Sequence, residues 1–306
     1  MIGSHELQRG DDWRKRLDGL VPKSIEMKHV LIVGCGSVGS FIASELVRSG
    51  IRRLTLVDPD IVEWANLTRT VYGYSDIGRL KVEALSDHLK AIFPDLEIAY
   101  QAMPIQDVDG GLNHLLSNID LVIAAVDQPT ANERINRYCY ANNKTVVFVG
   151  LYKGAKGGEV IVTKPDKTPC FHCSTGGVRR ATSEVHVEET QRTHRDYGTN
   201  RLLAEVALGS DIHFVCTAAI KIIMSLLSLE QSDTSLPLFI GNKLDEGTNF
   251  IIFGMEPDYF IFPATHGNAI GQYAFQSIWI KTDIDPSCEV CGVEENRESI
   301  LSIVTS

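Results

Sequence analysis

The chain has 306 residues, 44% of them hydrophobic and 22% charged, an ordinary globular composition that excludes a disordered or fibrous protein. Its 29 Lys and Arg against 39 Asp and Glu leave a net charge of −10, which argues against general nucleic-acid binding or docking on an anionic membrane. Seven cysteines, an odd number, argue against a disulfide framework. The N-terminus is polar without a signal-peptide core, and the apolar stretch from His213 to Leu227, broken by Lys221, falls short of a bilayer span. These features predict a cytoplasmic protein.

In chain order, residues 1–28 read as a charged lead-in, partly helical around Trp13–Leu20. A regular alternation then begins. His29–Val33 is predicted as a strand, Gly34–Gly39 as a glycine turn, and Ser40–Ser49 as a helix with Ile42, Leu46 and Val47 on one face. Arg53–Val57 is a second strand, Asp76–Phe93 an amphipathic helix, Leu96–Gln101 a third strand and Leu121–Val126 a fourth, apolar throughout as in a strand covered on both faces. Pro129–Asn142 reads as a helix and Thr145–Gly150 as a fifth strand. This alternation predicts an α/β fold, Rossmann-like and doubly wound, with a mainly parallel sheet. Beyond it, Gly157–Thr163 is predicted as an antiparallel strand, 164–200 as a polar crossover loop and Arg201–Leu229 as a long helix. A C-terminal extension over 230–306 adds strands at Asn249–Phe253, Tyr259–Phe262 and Tyr273–Lys281. No linker interrupts 29–306, which reads as a single domain.

The first strand runs into Gly34-x-Gly36-x-x-Gly39 and then a helix. The three glycines suit a tight turn, close backbone approach of a phosphate, and close helix–strand packing. Asp58 follows Gly39 by 19 residues at the end of the second strand, where a carboxylate accepts from a ribose hydroxyl. This much predicts a nucleotide. Asn66, Arg69 and Lys81 follow at the carboxyl edge of the sheet, and two cations beside a phosphate chain suit phosphoryl chemistry better than hydride transfer, so ATP is favoured over NAD(P). Asp127, just past the fourth strand, is placed to hold Mg²⁺ or to cap the next helix.

With Asp58-x-Asp60-x-Val62, Asn66-Leu-Thr-Arg69-Thr70, Gly78-x-x-Lys81 and Asp127-Gln128 in this order, the sequence resembles the E1-like, ubiquitin-activating superfamily that includes ThiF and MoeB. The resemblance is clearest over about residues 28–180. Thr70 stands where glutamine is usual and Gln128 where asparagine is usual. The resemblance implies ATP-dependent adenylation of the C-terminal carboxylate of a ubiquitin-like or sulfur-carrier protein. Asp58 would hold the ribose, Asn66, Arg69 and Lys81 the phosphates, and Asp127 the Mg²⁺. It also implies a homodimer, in which Arg14 or Arg16 could reach the partner's nucleotide site, and downstream E2-like or sulfur-donor partners. An oxidoreductase with a zinc clamp and a non-catalytic scaffold are the alternatives.

Cys170-x-x-Cys173 and Cys288-x-x-Cys291 can each grip one metal from a tight turn, and together they complete a closed, structural Cys₄ site for Zn²⁺. Redox dithiols and free thiols are the competing readings. Cys35, Cys139 and Cys216 remain, none in the polar loop 174–200 where, as the resemblance implies, thioester-forming relatives place their nucleophile, so any acyl-enzyme is predicted on a hydroxyl within 174–200.

Overall fold

In β1 (His29–Val33), Val30 and Ile32 join one apolar cluster while Leu31 and Val33 join another on the opposite face. That period of two, with both sets buried, is what a central parallel strand requires. The computed structural model describes residues 11–108, 111–176, 206–230, 235–256 and 274–297. Following β1 come α1 (Ser37–Arg48), β2 (Arg53–Val57), α2 (Lys81–Ile92), β3 (Glu97–Gln101), α3 (Gly111–Leu116), β4 (Leu121–Ala124), α4 (Pro129–Ala141) and β5 (Val146–Leu151). Then come β6 (Gly157–Thr163), α5 (171–176), α6 (Gly209–Leu227), α7 (Gly241–Asp245), β7 (Thr248–Gly254) and β8 (Gln276–Lys281).

All eight strands form one sheet in the order β3-β2-β1-β4-β5-β6-β7-β8. Neighbours from β3 through β5 pair parallel, and β6, β7 and β8 are added antiparallel. The predicted antiparallel run of β6 and the strands expected at Asn249–Phe253 and Tyr273–Lys281 are thus present. One face is covered by α1, α2 and α6, the other by α3 and α4. The strand order reverses between β1 and β4, and ligands of open α/β sheets bind in the crevice at such a point.

Several boundaries differ from the sequence reading. The helix expected from Asp76 starts at Lys81, because Gly78 sits at φ +84° and Tyr74–Asp76 forms a separate 3-10 turn. The short helices α3 and α7 carried too little periodicity to be anticipated. The α6 helix is long and apolar enough to cross a membrane by length and composition, contrary to the reading of that stretch. Instead, Ile212, Val215, Cys216, Ala219 and Ile223 are buried in the cluster they share with α1. The strand predicted at Tyr259–Phe262 lies outside the described residues.

The lead-in forms a 3-10 helix at Asp11–Arg16, and Trp13 packs edge-on against Phe93 with centroids 5.3 Å apart. Arg52 lies over both rings, 4.2 Å from Trp13 and 3.8 Å from Phe93. Arg14 is 2% exposed, bonded to Glu26 at 2.7 Å and to the Val21 carbonyl at 2.8 Å. It is a packing residue of its own chain, and its expected reach into a partner does not hold. Arg16 is exposed.

Candidate nucleotide site and cysteine centre

The glycine turn is a physical necessity at two of its three positions. Gly34 has φ +94°, and a Cβ there would lie 2.4 Å from the Ala125 carbonyl oxygen at the end of β4. A Cβ on Gly39, in the first turn of α1, would fall 1.8 Å from the Gly34 carbonyl oxygen. At Gly36 nothing lies within 4 Å of a Cβ position, so this glycine faces open space. Gly36 also caps α1 without a side-chain hydrogen bond. The first-turn N–H groups, which have no partner within a helix, are therefore turned to whatever fills that space.

Around the turn the polar residues converge. Asp58, 5% exposed at the end of β2, accepts from the Cys35 N–H at 2.6 Å and from the Asp60 N–H at 2.8 Å. Burial raises its pKa, while the Lys81 charge and these two N–H groups pull it back. Lys81 opens α2, and its Nζ donates to Asp60 at 2.8 Å. Segments 60–62 and 78–81 are laced together by the Val62–Arg79, Gly78–Val62 and Lys81–Asp60 backbone bonds. Tyr72, 4% exposed, places its hydroxyl 2.7 Å from the Cys35 carbonyl and 3.2 Å from the Lys81 carbonyl. Asp60 and Tyr72 were not singled out as site residues from sequence. Asp60 lay within a quoted motif, whereas a lone tyrosine between the Asn66–Thr70 and Gly78–Lys81 motifs gives no signal.

Asn66 lies on a 3-10 turn, Trp64–Thr68, where its Oδ1 accepts the Glu63 N–H at 2.8 Å. Arg69 ends that turn and backs onto Gly209 at the head of α6. Asp127 is exposed just past β4, beside the Ala125–Val126 segment on which Gly34 packs. The helix cap is Gln128 and makes no side-chain bond, so the capping alternative for Asp127 is not realised. Asp127 has no hydrogen bond or ion pair among the described residues. The structure thus joins Gly34, Gly36, Gly39, Asp58 and Lys81 in one connected group, brings Asp127 to its edge, and sets Asn66 and Arg69 on the adjoining turn. A buried carboxylate, a lysine, open N–H groups and an unengaged carboxylate suit a nucleotide with its metal. The carboxylate oxygens of these aspartates are donors of the kind Mg²⁺ takes, whereas Lys81 can only meet the phosphates.

The second centre joins the stretch that follows β6 to the segment that follows β8. Cys170, Cys173, Cys288 and Cys291 bring their sulfurs within 4.8 Å of one another. Cys170 and Cys288 are 3.8 Å apart, Cys173 and Cys291 3.5 Å. A Zn–S bond of about 2.3 Å makes a tetrahedral S···S edge of about 3.8 Å, so the four sulfurs can hold zinc. Gly292 closes the second knuckle: its N–H donates to the Cys288 carbonyl at 2.9 Å, and a Cβ would meet that oxygen at 2.4 Å. The Val290 N–H points at the Cys288 sulfur at 3.4 Å. Hydrogen bonds from the Cys170 and then the Cys291 thiols lower the pKa of Cys173, as suits a sulfur that binds metal as thiolate.

Cys35, Cys139 and Cys216 are buried. Burial pushes all three thiols up, Cys216 to about 12. Two of the hydroxyls proposed as acyl acceptors are also enclosed. Ser174 accepts from Asn249 Nδ2 at 2.8 Å, and Thr175 donates to the Phe171 carbonyl at 2.9 Å. Thr182, Ser183, Thr190, Thr193 and Thr199, with His186 and His194, lie outside the described residues.

Residues 16–304 match the ThiF family. Ubiquitin-like modifier-activating enzyme 5 of Caenorhabditis elegans is 35% identical over 158 residues, covering 49% of this chain and 38% of the relative. The enzyme of the same name from Drosophila virilis is 37% identical over 161 residues, covering 49% and 40%. The matches therefore span about two-fifths of the length of these relatives. Among solved structures, Escherichia coli MccB superposes with a TM-score of 0.64 at 19% identity, over 89% of this chain and 67% of that one. MccB with ATP gives 0.62 at 18% identity, over 88% and 68%. These likenesses show the fold.

Proposed function

We propose that this chain, which belongs to the ThiF family, adenylates the C-terminal carboxylate of a partner protein or peptide. Mg·ATP occupies the crevice between β1 and β4. Asp58 accepts from the ribose, the Gly36 N–H and the head of α1 meet phosphate oxygens, and Asn66, Arg69 and Lys81 neutralise the phosphate chain. Lys81 exchanges Asp60 for phosphate as the nucleotide enters. Asp127 holds the Mg²⁺. The carboxylate attacks the α-phosphorus, and pyrophosphate leaves. Catalysis is positioning and charge neutralisation, the means by which phosphoryl and nucleotidyl transfers are accelerated.

The observation that carries this reading is the meeting, at the point where strand order reverses, of an open Gly36, the Asp58–Lys81–Asp60 group and an unengaged Asp127. The names of the relatives favour a ubiquitin-like protein as the carboxylate substrate, and the superfamily resemblance adds a sulfur-carrier protein and a flexible C-terminal tail. With Cys35, Cys139 and Cys216 enclosed, the acyl group passes directly from the adenylate to its acceptor, supplied by an E2-like or sulfur-donor partner. The Cys₄ centre binds one Zn²⁺ in a structural role. The family resemblance extends the reading to a cytoplasmic homodimer.

Calorimetry with Mg·ATP and with NAD⁺ tests the nucleotide, the expected result being binding of ATP only. Tight NAD⁺ binding without ATP binding would sink the proposal in favour of an oxidoreductase. Pyrophosphate exchange in the presence of small proteins with glycine-ended tails then tests the carboxylate.

A further inference from the structure

We propose that Tyr72 is a positioning residue for the nucleotide phosphates: its hydroxyl orients the Cys35–Gly36 peptide so that the Gly36 N–H faces the ligand. This deepens the nucleotide reading and rests on it. Tyr72 is 4% exposed, and its oxygen lies 2.7 Å from the Cys35 carbonyl and 3.2 Å from the Lys81 carbonyl. Carbonyls only accept, so the phenol is the donor, with its single proton held chiefly by the nearer Cys35 oxygen. Burial raises the phenol's pKa, which keeps that proton in place.

The consequence lies on the other side of the peptide. In a planar trans peptide the N–H points opposite to the C=O. Fixing the Cys35 carbonyl inward on Tyr72 therefore turns the Gly36 N–H outward, to the side where a Cβ on Gly36 would meet nothing within 4 Å. The preceding peptide is fixed as well, since Asp58 accepts the Cys35 N–H at 2.6 Å. Cys35 is thus clamped at both backbone groups, its N–H by Asp58 and its C=O by Tyr72. The Lys81 carbonyl ties the same hydroxyl to the head of α2, from which Lys81 Nζ reaches Asp60. One hydroxyl links the glycine turn and the lysine. A phenylalanine would fill the same volume and leave the turn's peptide free to rotate.

The test compares Tyr72→Phe with wild type for binding of Mg·ATP by calorimetry and of adenosine, which lacks phosphates, by saturation-transfer NMR. The expected result is a loss of about tenfold in ATP affinity, the order of one net hydrogen bond, with adenosine affinity unchanged. Tyr72→Leu, also without a hydroxyl, should show the same phosphate-selective loss. ATP affinity within about twofold of wild type in Tyr72→Phe, where a hydrogen bond's worth is expected, would overturn the role. So would an equal loss of ATP and adenosine, which would mean a general effect on the pocket, or failure of both variants to fold, which would make Tyr72 a folding residue. If wild type binds adenosine and ATP equally or not at all, the nucleotide reading itself fails, a result distinct from any difference between the proteins.

Discussion

Cys35, Cys139 and Cys216 each lie at 1% exposure or less, and burial raises all three thiols, so none is available as a thiolate near neutral pH. Replacing each with alanine should leave adenylation and downstream transfer intact, read as pyrophosphate exchange and as acyl transfer. Mass spectrometry finding an acyl adduct on Cys216, or loss of an adduct under mild thiol treatment, would restore a thioester route. Asp127 stands at the opposite extreme, exposed and unengaged among the described residues. Asp127→Ala should abolish pyrophosphate exchange while changing stability by under about 0.5 kcal/mol, as surface substitutions do. A variant that keeps exchange would remove Asp127 from the metal site. Cys35 and Asp127 were legible in the sequence because each sits just past a strand end, and strand ends follow from apolar runs; Cys139 and Cys216 were placed by the helical spacing around them. Arg14, offered by the resemblance as a reach into a partner, shows the opposite case: its position in a charged segment carries no packing signal, and only the fold reveals that Glu26 and the Val21 carbonyl enclose it.

At the scale of elements, the glycine turn separates packing from binding. Gly39→Ala forces a methyl into the Gly34 carbonyl and should destabilise by about 1–3 kcal/mol, measured by denaturant unfolding, because backbone cannot yield as a side chain can. Gly36→Ala meets nothing, and should fold like wild type while weakening ATP binding, since the methyl enters the ligand's space. Equal stability losses at both positions would contradict this division. The segment leading to α2 has its own anchor. Asp76, 3% exposed, accepts from the Gly73 N–H at 2.8 Å, pairs with Arg79 at 3.1 Å and bonds His88 at 2.7 Å. Burial pushes its carboxyl up, but His88, the Gly73 N–H and Arg79 together outweigh that and hold the pKa below its ordinary value. A depressed folded pKa contributes stability above the ordinary aspartate range, lost as pH falls through the depressed value. Asp76→Asn should therefore unfold more easily at neutral pH, by about 1–3 kcal/mol, with the gap closing in acid as the wild-type carboxyl protonates. A gap that persists unchanged at low pH would assign the effect to shape rather than charge.

Across the whole molecule, what the sequence made legible was the part whose logic is local. Strands β1 to β5 and their helices announce themselves by apolar runs and glycines, and the nucleotide residues ride on them. The placement of β8 beside β7, and of the C-terminal knuckle beside α4, is long-range and has no periodic signal. Only the repeated Cys-x-x-Cys spacing hinted that chain positions 118 residues apart would meet. Other contacts of the same two segments support that meeting. Tyr140 of α4 packs with Cys170 and Cys291, Asn136 accepts the Phe171 N–H at 2.9 Å, and Thr282 donates to Asn249 at 2.7 Å. Arg297 donates to the Gly292 carbonyl at 2.8 Å. These contacts are few beside the core that covers β1 to β5, so the metal should supply the rest, and metal binding is linked to folding of the segment that carries the ligands. Purified protein should contain about one zinc per chain, the stoichiometry of a closed Cys₄ site. Cys288→Ser should lose that zinc and show faster amide exchange over 282–297, while exchange in β1 and β4 stays slow because their cover lies elsewhere. Strong chelation of wild type should give the same regional pattern. If the variant keeps its zinc, Cys288 is not a ligand. If zinc is lost but exchange rises equally throughout the sheet, the centre is a keystone of the whole fold rather than the fastening of its C-terminal strap.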